Sequence, residues 1–483
     1  MADSVPDWRE EFLGWLTPFL EAFGRAEQRH WAPTYLEGLL GPGDRKSIEP
    51  MAARVCPGET QQLHHFVSTS PWATAPLERV LAETADRLVG GPAAVLIVDD
   101  TALPKQGRHS VGVARQYCGA LGKRANCQVL VSLTLAQHEV PVPLALRLYL
   151  PEGWASDTED RTEHGSERRE RAKVPTEVTF KTKGEIALEE LDRVMAAGVR
   201  FGIVLADAGY GSSAEFRAGL TARGLTWAVG VLATQKVYSA DVTLTPPTKG
   251  PTGRPRKHPI PSLASLQAEA MLDRLVARLG PRVFRRMMWR RGTKGPLRVA
   301  FAAVRVRVAD GPLMARAQHL PGDAGWLVCE RRETGERKYY LTNHPVRTTR
   351  LELLRAIKAR WSCEQVHQQL KEELGLDHFE GRSWLGLHHH ALLTMIAFAF
   401  LQHRRLDAVR TAARAARRRE RRRAGGKTGG HPPAAHDARA AHPVGATARA
   451  LAARDASRAT RRPAHRETPS MSTLSRRPPA AAA

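Results

Sequence analysis

Residues 93–100 read AAVLIVDD and residues 200–211 read RFGIVLADAGYG, two short apolar runs that each lead into aspartate. Short apolar runs bounded by Gly, Pro and charge predict buried strands. Three more such runs lie nearby: CQVLVSLTLAQ (127–137), VPLALRLYL (142–150) and WAVGVL (227–232). Helical spacing of apolar residues predicts one helix near 185–197 and another near 216–220. This part of the chain is therefore expected to form a mixed α/β sheet.

The order of these predicted elements is strand, strand, strand, helix, strand, helix, strand. That order is typical of an RNase H-like mixed sheet flanked by helices. Upstream, residues 1–90 carry apolar side chains at three-to-four-residue spacing, such as Phe12, Leu16 and Phe19, and are expected to form a helical N-terminal domain. Residues 91–232 would hold the first part of the sheet domain, and residues 346–403 would complete it.

Two segments depart from this rhythm. Residues 233–345 begin near a Pro-, Gly- and Lys/Arg-rich stretch, TPPTKGPTGRPRKHPIP, and continue with strand-like pieces such as LRVAFAAVRVRV, GWLVCERR and KYYLTN. We expect an inserted, mostly β subdomain there. Residues 404–483 are rich in Arg, Ala and Pro with scarcely an aromatic residue, which predicts a disordered basic tail. A shifted reading frame in GC-rich DNA would produce the same composition, and that alternative stays open.

The charge of the chain points to a polyanionic partner. Its 73 Lys and Arg residues exceed its 49 Asp and Glu residues, for a formal net charge of +24. Basic side chains that replace counterions on phosphate supply most of the non-specific affinity of a protein for nucleic acid. Much of this charge belongs to the tail, because residues 404–483 hold 20 basic and 5 acidic residues.

Several protein classes are disfavoured by the sequence. The five cysteines are odd in number and contain no C-x-x-C pair, so neither a disulfide framework nor a structural zinc site is predicted. The first residues, MADSVPDWREEF, are acidic where a signal peptide would be basic. The longest apolar run, residues 391–401, is too short to span a bilayer. We expect a cytoplasmic protein that is neither secreted nor membrane-bound.

Carboxylates follow two of the predicted strands. Asp99 and Asp100 come after VLIV, and Asp207 comes after GIVLA. The carboxyl ends of neighbouring strands are where an open α/β sheet places its ligands. Carboxylate oxygens suit Mg²⁺, and cleavage of a phosphodiester with two divalent ions needs carboxylates that hold both ions. Asp99 and Asp100 alternate to opposite faces of a strand, so one of them at most belongs to such a site.

A third carboxylate lies on a helix predicted to run from Thr349 to a stop at Gly375. The sequence TRLE predicts a capping box at the helix start. Arg360, Glu364, His367 and Lys371 would share one face of this helix, opposite an apolar stripe. Glu364 would then lie beside cationic side chains suited to phosphate. His367 is interpreted as a satisfied polar residue beside the site, with acid–base chemistry as the alternative.

Together these segments resemble the DDE-type transposases of bacterial insertion sequences, in the large group that contains insertion sequence four and its relatives. The stretch DDTALPKQGRHSVGVARQYCGALGKRANCQV (99–129) resembles the first catalytic block of that group, and LADAGYG (205–211) resembles the second. The third block has the pattern Tyr, two residues, Arg, three residues, Glu, six residues, Lys. Arg360, Glu364 and Lys371 fit this pattern, whereas Ile357 stands where Tyr is expected.

The resemblance implies a catalytic and metal-binding triad of Asp99, Asp207 and Glu364, with Asp100 as the alternative to Asp99. It implies Mg²⁺ as the cofactor, with Mn²⁺ as a substitute. Arg360 and Lys371 would contact phosphate. The remaining expected DNA contacts are Lys105 and Lys123 of the first block and Trp289 in MMWRRGTKGPL, for which core packing is the competing interpretation.

The implied activity is cut-and-paste DNA transposition, in which a homodimer would cleave the ends of an insertion sequence and join them to target DNA. The expected partners are the terminal repeats and target DNA, and the expected location is the cytoplasm, at the nucleoid. A catalytically silent, transposase-derived DNA-binding protein or repressor is the alternative, and a stand-alone RNase H-like nuclease is a second. His388, His389 and His390 are not expected to bind metal, because adjacent helical residues point about 100° apart.

Overall fold

The computed structural model describes residues 8–137, 139–154, 163–247, 258–292, 295–314 and 318–425. The first part of this chain is helical, as its apolar spacing predicts, and Phe12, Leu16 and Phe19 lie on the buried face of the first helix. The helices are α1 (Trp8–Glu21), α2 (Ala26–Leu40), α3 (Ile48–Val55), α4 (Thr60–Ser68) and α5 (Thr74–Val89). Their apolar side chains join the main hydrophobic core of the sheet rather than a core of their own.

The central sheet contains the predicted strands and one that sequence analysis missed, β2. Its strands are β1 (Val95–Pro104), β2 (Ala114–Cys118), β3 (Lys123–Gln137), β4 (Val140–Leu148), β5 (Ile203–Ala206) and β6 (Trp227–Val231). The spatial order at its centre is β4–β3–β1–β5–β6. β4, β3 and β1 pair antiparallel, whereas β1, β5 and β6 pair parallel. This is the RNase H-like mixed sheet that the element order predicts.

Helices flank this sheet. The two predicted helices are present as α7 (Lys183–Ala196) and α9 (Ala214–Ala222), and two that the sequence did not predict are α6 (Glu163–Arg171) and α8 (Ala208–Gly211). α7 begins at a capping box in which the Thr182 hydroxyl accepts from the Glu185 N–H and the Glu185 carboxylate accepts from the Thr182 N–H. α9 connects the parallel strands β5 and β6, which need a crossover rather than a hairpin.

The segment predicted as a β insertion extends the same sheet. Its elements are β7 (Lys236–Ser239), β8 (Leu244–Thr245), β9 (Ile260–Pro261), β10 (Leu266–Gln267), α10 (Ala268–Leu279), β11 (Arg285–Gly292), β12 (Gly295–Val308), β13 (Ala324–Arg331) and β14 (Arg337–Thr342). β14 pairs antiparallel with β6, with Tyr340 opposite Gly230. The sheet then continues through β13, β12, β7 and β10, and β11 pairs with β12. The insertion thereby covers the edge that β6 would otherwise expose.

The helix predicted from Thr349 to Gly375 is two helices, which corrects the sequence prediction. α11 (Arg350–Lys358) begins at the predicted capping box of Thr349 and Glu352, and α12 (Trp361–Glu372) follows after a break at residues 359–360. The predicted stop is confirmed, since Gly375 adopts a left-handed conformation with φ 68°. No Gly or Pro marks the break in the sequence. It coincides with Arg360, whose side chain contacts carboxylates on both sides.

The last helix, α13 (Trp384–Gly425), runs past the point where a disordered tail was expected to begin. Residues 404–425 are therefore helical, in keeping with the high helix propensity of Ala and Arg. Residues 426–483 of the predicted tail lie outside the described part of the chain. By length and composition the apolar part of α13 could cross a membrane, but 83% of that window is buried inside the protein. That burial is the arrangement of a core helix.

Candidate active site

The two aspartates of β1 face opposite sides of the sheet. Ile97 packs in a cluster with the apolar side chains of α11, on one face. Alternation along the strand puts Asp99 on that face and Asp100 on the other. The contacts agree: Arg360 Nη1 lies 2.5 Å from Asp99 Oδ2, and Lys183 Nζ lies 2.5 Å from Asp100 Oδ2. The two side chains therefore belong to different environments.

Asp207 directly follows β5 and caps α8. Its Oδ1 accepts hydrogen bonds from the backbone N–H groups of Gly209, at 2.9 Å, and Tyr210, at 3.3 Å. A Cβ atom on Gly211 would lie 2.1 Å from the carbonyl oxygen of Gly230, so glycine is required for this turn to approach β6. The sequence DAGYG thus holds the Asp207 carboxylate at the end of β5.

Asp99 and Asp207 lie on neighbouring parallel strands at matching positions. Val98 pairs with Ala206 in the register of β1 and β5, and each aspartate is the next residue. Burial raises the pKa of Asp99 to about 7; the positive charge of Arg360 opposes this rise, and the negative charge of Asp207 adds to it. Two carboxylates gathered at the same strand edge carry the charge that a cation would neutralise.

Glu364 reaches this pair through Arg360. Glu364 lies in the first turn of α12 with its side chain 64% exposed, and its Oε1 accepts from Arg360 Nη2 at 2.8 Å. Because Nη1 of the same guanidinium contacts Asp99, Arg360 bridges the two carboxylates. The break between α11 and α12 places Arg360 at this position.

The donor set of these residues suits a hard divalent cation, since each candidate ligand is a carboxylate oxygen. Asp99, Asp207 and Glu364 come from β1, from the β5–α8 junction and from α12. Among the described residues, these three carboxylates do not all lie within 4.8 Å of one another, so they are not gathered around one point in this conformation. Arg360 lies between Asp99 and Glu364, and its positive charge balances their negative charges in this conformation.

Sequence reasoning missed the side chains that hold Asp100. Lys183 forms its ion pair, and the Tyr210 hydroxyl donates to its other carboxylate oxygen. Tyr210 also donates its backbone N–H to Asp207, so it connects the two aspartates. The sequence carried a signal for this contact, because Tyr210 belongs to the DAGYG turn itself.

Two of the predicted DNA contacts bind backbone carbonyls in this structure, and their contact with DNA stays a prediction. Lys371 Nζ donates to the carbonyl of Ala102 at 2.9 Å, and Lys105 Nζ donates to the carbonyl of Phe379 at 2.7 Å. Burial lowers the pKa of both lysines. Lys371 thus ties α12 to β1. Lys123 is exposed at the start of β3, opposite Cys118 of β2.

Trp289 is half-buried and packs with the apolar side chains beneath α11. The Lys358 ammonium lies 4.9 Å from the centre of its ring. In this structure Trp289 therefore packs against the hydrophobic core, as one of the two interpretations of the sequence expects. A role in stacking on a DNA base stays a prediction.

The three consecutive histidines of α13 serve the core. His390 Nδ1 lies 2.8 Å from the Tyr35 hydroxyl, and its Nε2 lies 3.1 Å from the carbonyl oxygen of Gly375. His389 stacks on Trp72, with 3.4 Å between ring centres. The three side chains contact different partners and do not converge on one point, as helical geometry predicts.

His367 lies beside Asp99, beneath the carboxylates. Its Nε2 is 2.8 Å from Ser132 Oγ, and the Ser132 hydroxyl donates to the backbone carbonyl of Asp99 at 3.0 Å. Burial lowers the pKa of His367 to about 3. Ser132 was missed by sequence reasoning, because its place opposite Asp99 is set by the register of β1 and β3.

The fold and the site together define an RNase H-like protein with a carboxylate cluster at the carboxyl ends of its central strands. A family model described as DDE superfamily endonuclease matches residues 18–296. The chain belongs to this family. The match includes Asp99 and Asp207 and ends before Glu364, so the assignment of Glu364 rests on its position and on the third-block pattern.

Two further similarities were found. The chain is 31% identical over 178 residues to a "Probable transposase for insertion sequence element IS701" from Microchaete diplosiphon. This match covers 37% of the present chain and 42% of that relative. A piggyBac transposase in a synaptic complex with hairpin DNA matches 78% of this chain and 65% of its own, with 9% identity and a TM-score of 0.38. At that score the two folds are not shown to be the same.

Proposed function

We propose that this protein is a DNA transposase that cleaves the ends of an insertion sequence and joins them to target DNA. The observation that carries the proposal is the meeting of Asp99 and Asp207 on paired strand ends, with Glu364 linked to Asp99 through Arg360. Membership of a DDE endonuclease family implies an enzyme that depends on divalent metal and acts on DNA. The similarity to the IS701 relative supports transposition as the use of that chemistry.

Asp99, Asp207 and Glu364 would hold the divalent ions, for which we propose Mg²⁺, with Mn²⁺ as a substitute. When bound, such ions supply an activated oxygen nucleophile and stabilise the departing oxygen. The chain itself contributes orientation. The DAGYG turn fixes Asp207 through two backbone N–H groups, and Asp100 anchors the turn from the opposite face through Tyr210.

Arg360 has a second role in this proposal. It neutralises Asp99 and Glu364 in the present conformation, and it is the cationic group nearest to the carboxylates that could turn towards a DNA phosphate. A guanidinium presents paired donors that match phosphate oxygens. Lys371 and Lys105 donate to backbone carbonyls in the present conformation, and we propose both as further DNA contacts.

The proposed partners are double-stranded terminal repeats and target DNA, bound by a homodimer that brings two ends together. The work would take place in the cytoplasm, at the nucleoid. We place recognition of the DNA ends in the helical residues 1–90 and catalysis in the sheet domain, with residues 233–345 as an inserted β subdomain. The excess of Lys and Arg over Asp and Glu suits a DNA substrate.

Excision of a marked element from a plasmid by the purified full-length chain tests this proposal. We expect Asp207→Asn to lower excision by more than about 10³-fold, since it removes a metal-binding charge and keeps the size of the side chain. The matched control is Asp192→Asn on α7, where the carboxylate is 54% exposed and pairs with Arg223. This control should excise as well as the parent chain.

The two variants should bind end DNA equally in a gel-shift assay, which separates chemistry from recognition. If the parent chain binds the ends and excises nothing in Mg²⁺ or Mn²⁺, the silent DNA-binding protein is the better description. If Asp207→Asn excises like the parent chain, the carboxylate mechanism is wrong.

A further inference from the structure

Beside the carboxylate cluster lies a second group of metal-ligating side chains. Asp99 on β1 and Cys363 and His367 on α12 each offer one ligand atom, and these atoms all lie within 4.8 Å of one another. We propose that these three residues form a soft-metal site that takes Zn²⁺ and withdraws Asp99 from catalysis. Binding itself is independent of the proposed function, whereas the inhibitory consequence rests on it.

The distances fit a tetrahedral ion. Cys363 Sγ and His367 Nε2 are 3.5 Å apart. Zinc–sulfur and zinc–nitrogen bonds of ordinary length, at a tetrahedral angle, would separate these atoms by about 3.6 Å. The ligand atoms of the group all lie within 4.8 Å of one another. A tetrahedral ion needs the Asp99 oxygen about 3.4–3.6 Å from the other two ligand atoms, so a rotation of the Asp99 side chain has at most about 1.5 Å to close.

The placement of the ligands also fits. Cys363 and His367 are four residues apart on α12 and so share one face of the helix. The same i, i+4 spacing on a helix lets the two histidines of H-E-x-x-H hold one zinc ion. Asp99 comes from the neighbouring strand, which gives three protein ligands and leaves a fourth position for water.

The donor chemistry selects against the catalytic ion. A thiolate and an imidazole prefer Zn²⁺, whereas Mg²⁺ prefers oxygen ligands. Cys363 is fully buried, and its sulfur lies 3.6 Å from Thr134 Oγ1 and 4.0 Å from Ser132 Oγ. On binding, the ion displaces the thiol proton to solvent and forms a metal–sulfur bond, with no change of oxidation state. The neutral His367 ring keeps its single proton on Nδ1, so Nε2 gives up its hydrogen bond to Ser132 and binds the ion.

Occupancy of this site would act on the carboxylate cluster through Asp99. An ion held by Cys363 and His367 takes a lone pair of the Asp99 carboxylate and adds positive charge next to Arg360. Asp99 is then less available to a metal shared with Asp207. The site would therefore make cleavage sensitive to the ratio of Zn²⁺ to Mg²⁺.

Titration of the tag-free full-length protein with Co²⁺, as a spectroscopic stand-in for Zn²⁺, tests binding. We expect about one Co²⁺ per chain with a thiolate-to-cobalt charge-transfer band that added Zn²⁺ removes. A second described group, Glu11, His403 and Asp407, has no thiol and cannot produce this band. The band therefore reports on a cysteine ligand.

Variants assign the band to this site. Cys363→Ser should abolish it, and His367→Gln should weaken Co²⁺ binding at least about tenfold, the effect of losing one ligand. Cys329→Ser, a buried cysteine on β13, and Asp207→Asn should both keep the band. The proposal is overturned if the parent chain shows no band, or if Cys363→Ser keeps it. Circular dichroism checks that each variant is folded. If Cys363→Ser does not fold, the loss of Co²⁺ affinity in His367→Gln tests the site in its place.

Cleavage in Mg²⁺ with added Zn²⁺ tests the consequence. The parent chain should lose activity as Zn²⁺ rises, and Cys363→Ser should need at least about tenfold more Zn²⁺ for the same fractional loss. Equal sensitivity would overturn the inhibitory role. A chain that binds Co²⁺ through Cys363 but never cleaves DNA contradicts the proposed function and leaves the metal site standing.

Discussion

Asp99 and Asp100 are neighbours on one strand but have different contacts. Asp99 lies on the α12 side, 13% exposed, with Arg360 as its partner. Asp100 lies on the α7 side, where Lys183 and Tyr210 occupy both of its carboxylate oxygens. These contacts favour Asp99 over Asp100 in the proposed metal-binding role, and we propose a positioning role for Asp100.

This assignment predicts different losses for the two asparagine variants. Asp99→Asn should reduce cleavage of end DNA by more than about 10³-fold, because it removes a metal-binding charge. Asp100→Asn should cost about tenfold, since the amide oxygen can still accept from Tyr210 and only the ion pair with Lys183 is lost. Single-turnover cleavage at saturating Mg²⁺ measures both, and a reversed order would make Asp100 the metal ligand.

Among the elements, α13 carries the buried histidines that respond to pH. The Tyr35 hydroxyl can donate to Nδ1 of His390, and the Nε2–H of His390 can donate to the carbonyl oxygen of Gly375. A neutral His390 ring therefore satisfies both contacts. Burial lowers the pKa of His388 and of His390 to about 4. Each ring is therefore neutral in the folded protein at pH values where an unfolded histidine begins to take a proton.

Stability should fall as the pH drops from about 6.5 to about 4. In that window the unfolded chain binds more protons than the folded chain, so the free energy of unfolding decreases towards low pH, by up to about 3 kcal/mol per histidine. Above 6.5 these rings are neutral in both states and contribute no slope. Urea unfolding at a series of pH values measures the effect.

His390→Gln should make that pH dependence shallower, whatever its effect on stability at neutral pH. The matched control is His65→Gln on α4, where the side chain is 51% exposed. The slope of this variant is the reference for losing an exposed histidine rather than a buried one. A slope that is the same in His390→Gln as in the parent chain would show that His390 does not titrate in this window.

At the scale of the whole molecule, buried charges join the helical N-terminal part to the sheet. Arg147 on β4 contacts Glu78 on α5 and Glu190 on α7, each at 2.6 Å, and Glu78 is 3% exposed. Removing one partner of such a buried network typically costs about 3–5 kcal/mol. The middle of α13 also contacts the first helix, since Arg404 lies 3.3 Å from Glu11.

These contacts predict where the chain can be shortened. A chain ending at Gly425 keeps α13 whole, so it should unfold at about the same temperature as the full chain. A chain ending at His403 should melt a few degrees lower, since it loses the Arg404 pair and the packing of Leu406 against the core. Differential scanning calorimetry compares the three chains, and equal melting temperatures would contradict the expectation.

Local pattern was enough to predict the strands that carry Asp99 and Asp207 and the turn that follows the second. Apolar runs that end in aspartate, and glycines that permit a tight turn, are properties of neighbouring residues, so they are visible in the sequence. The same holds for the capping box of Thr349 and Glu352 and for the stop at Gly375. The resemblance of three short blocks then indicated the family.

Contacts between distant residues were decided by the tertiary structure. The break before α12, the pairing of Arg360 with Asp99, and the choice between Asp99 and Asp100 depend on which strand face meets which helix. The absence of a C-x-x-C pair pointed away from zinc, yet folding brings Cys363 and His367 to an aspartate more than 260 residues earlier. Periodicity specifies the elements along the chain, whereas sheet register and helix packing specify which side chains meet, and that information is spread over the whole sequence.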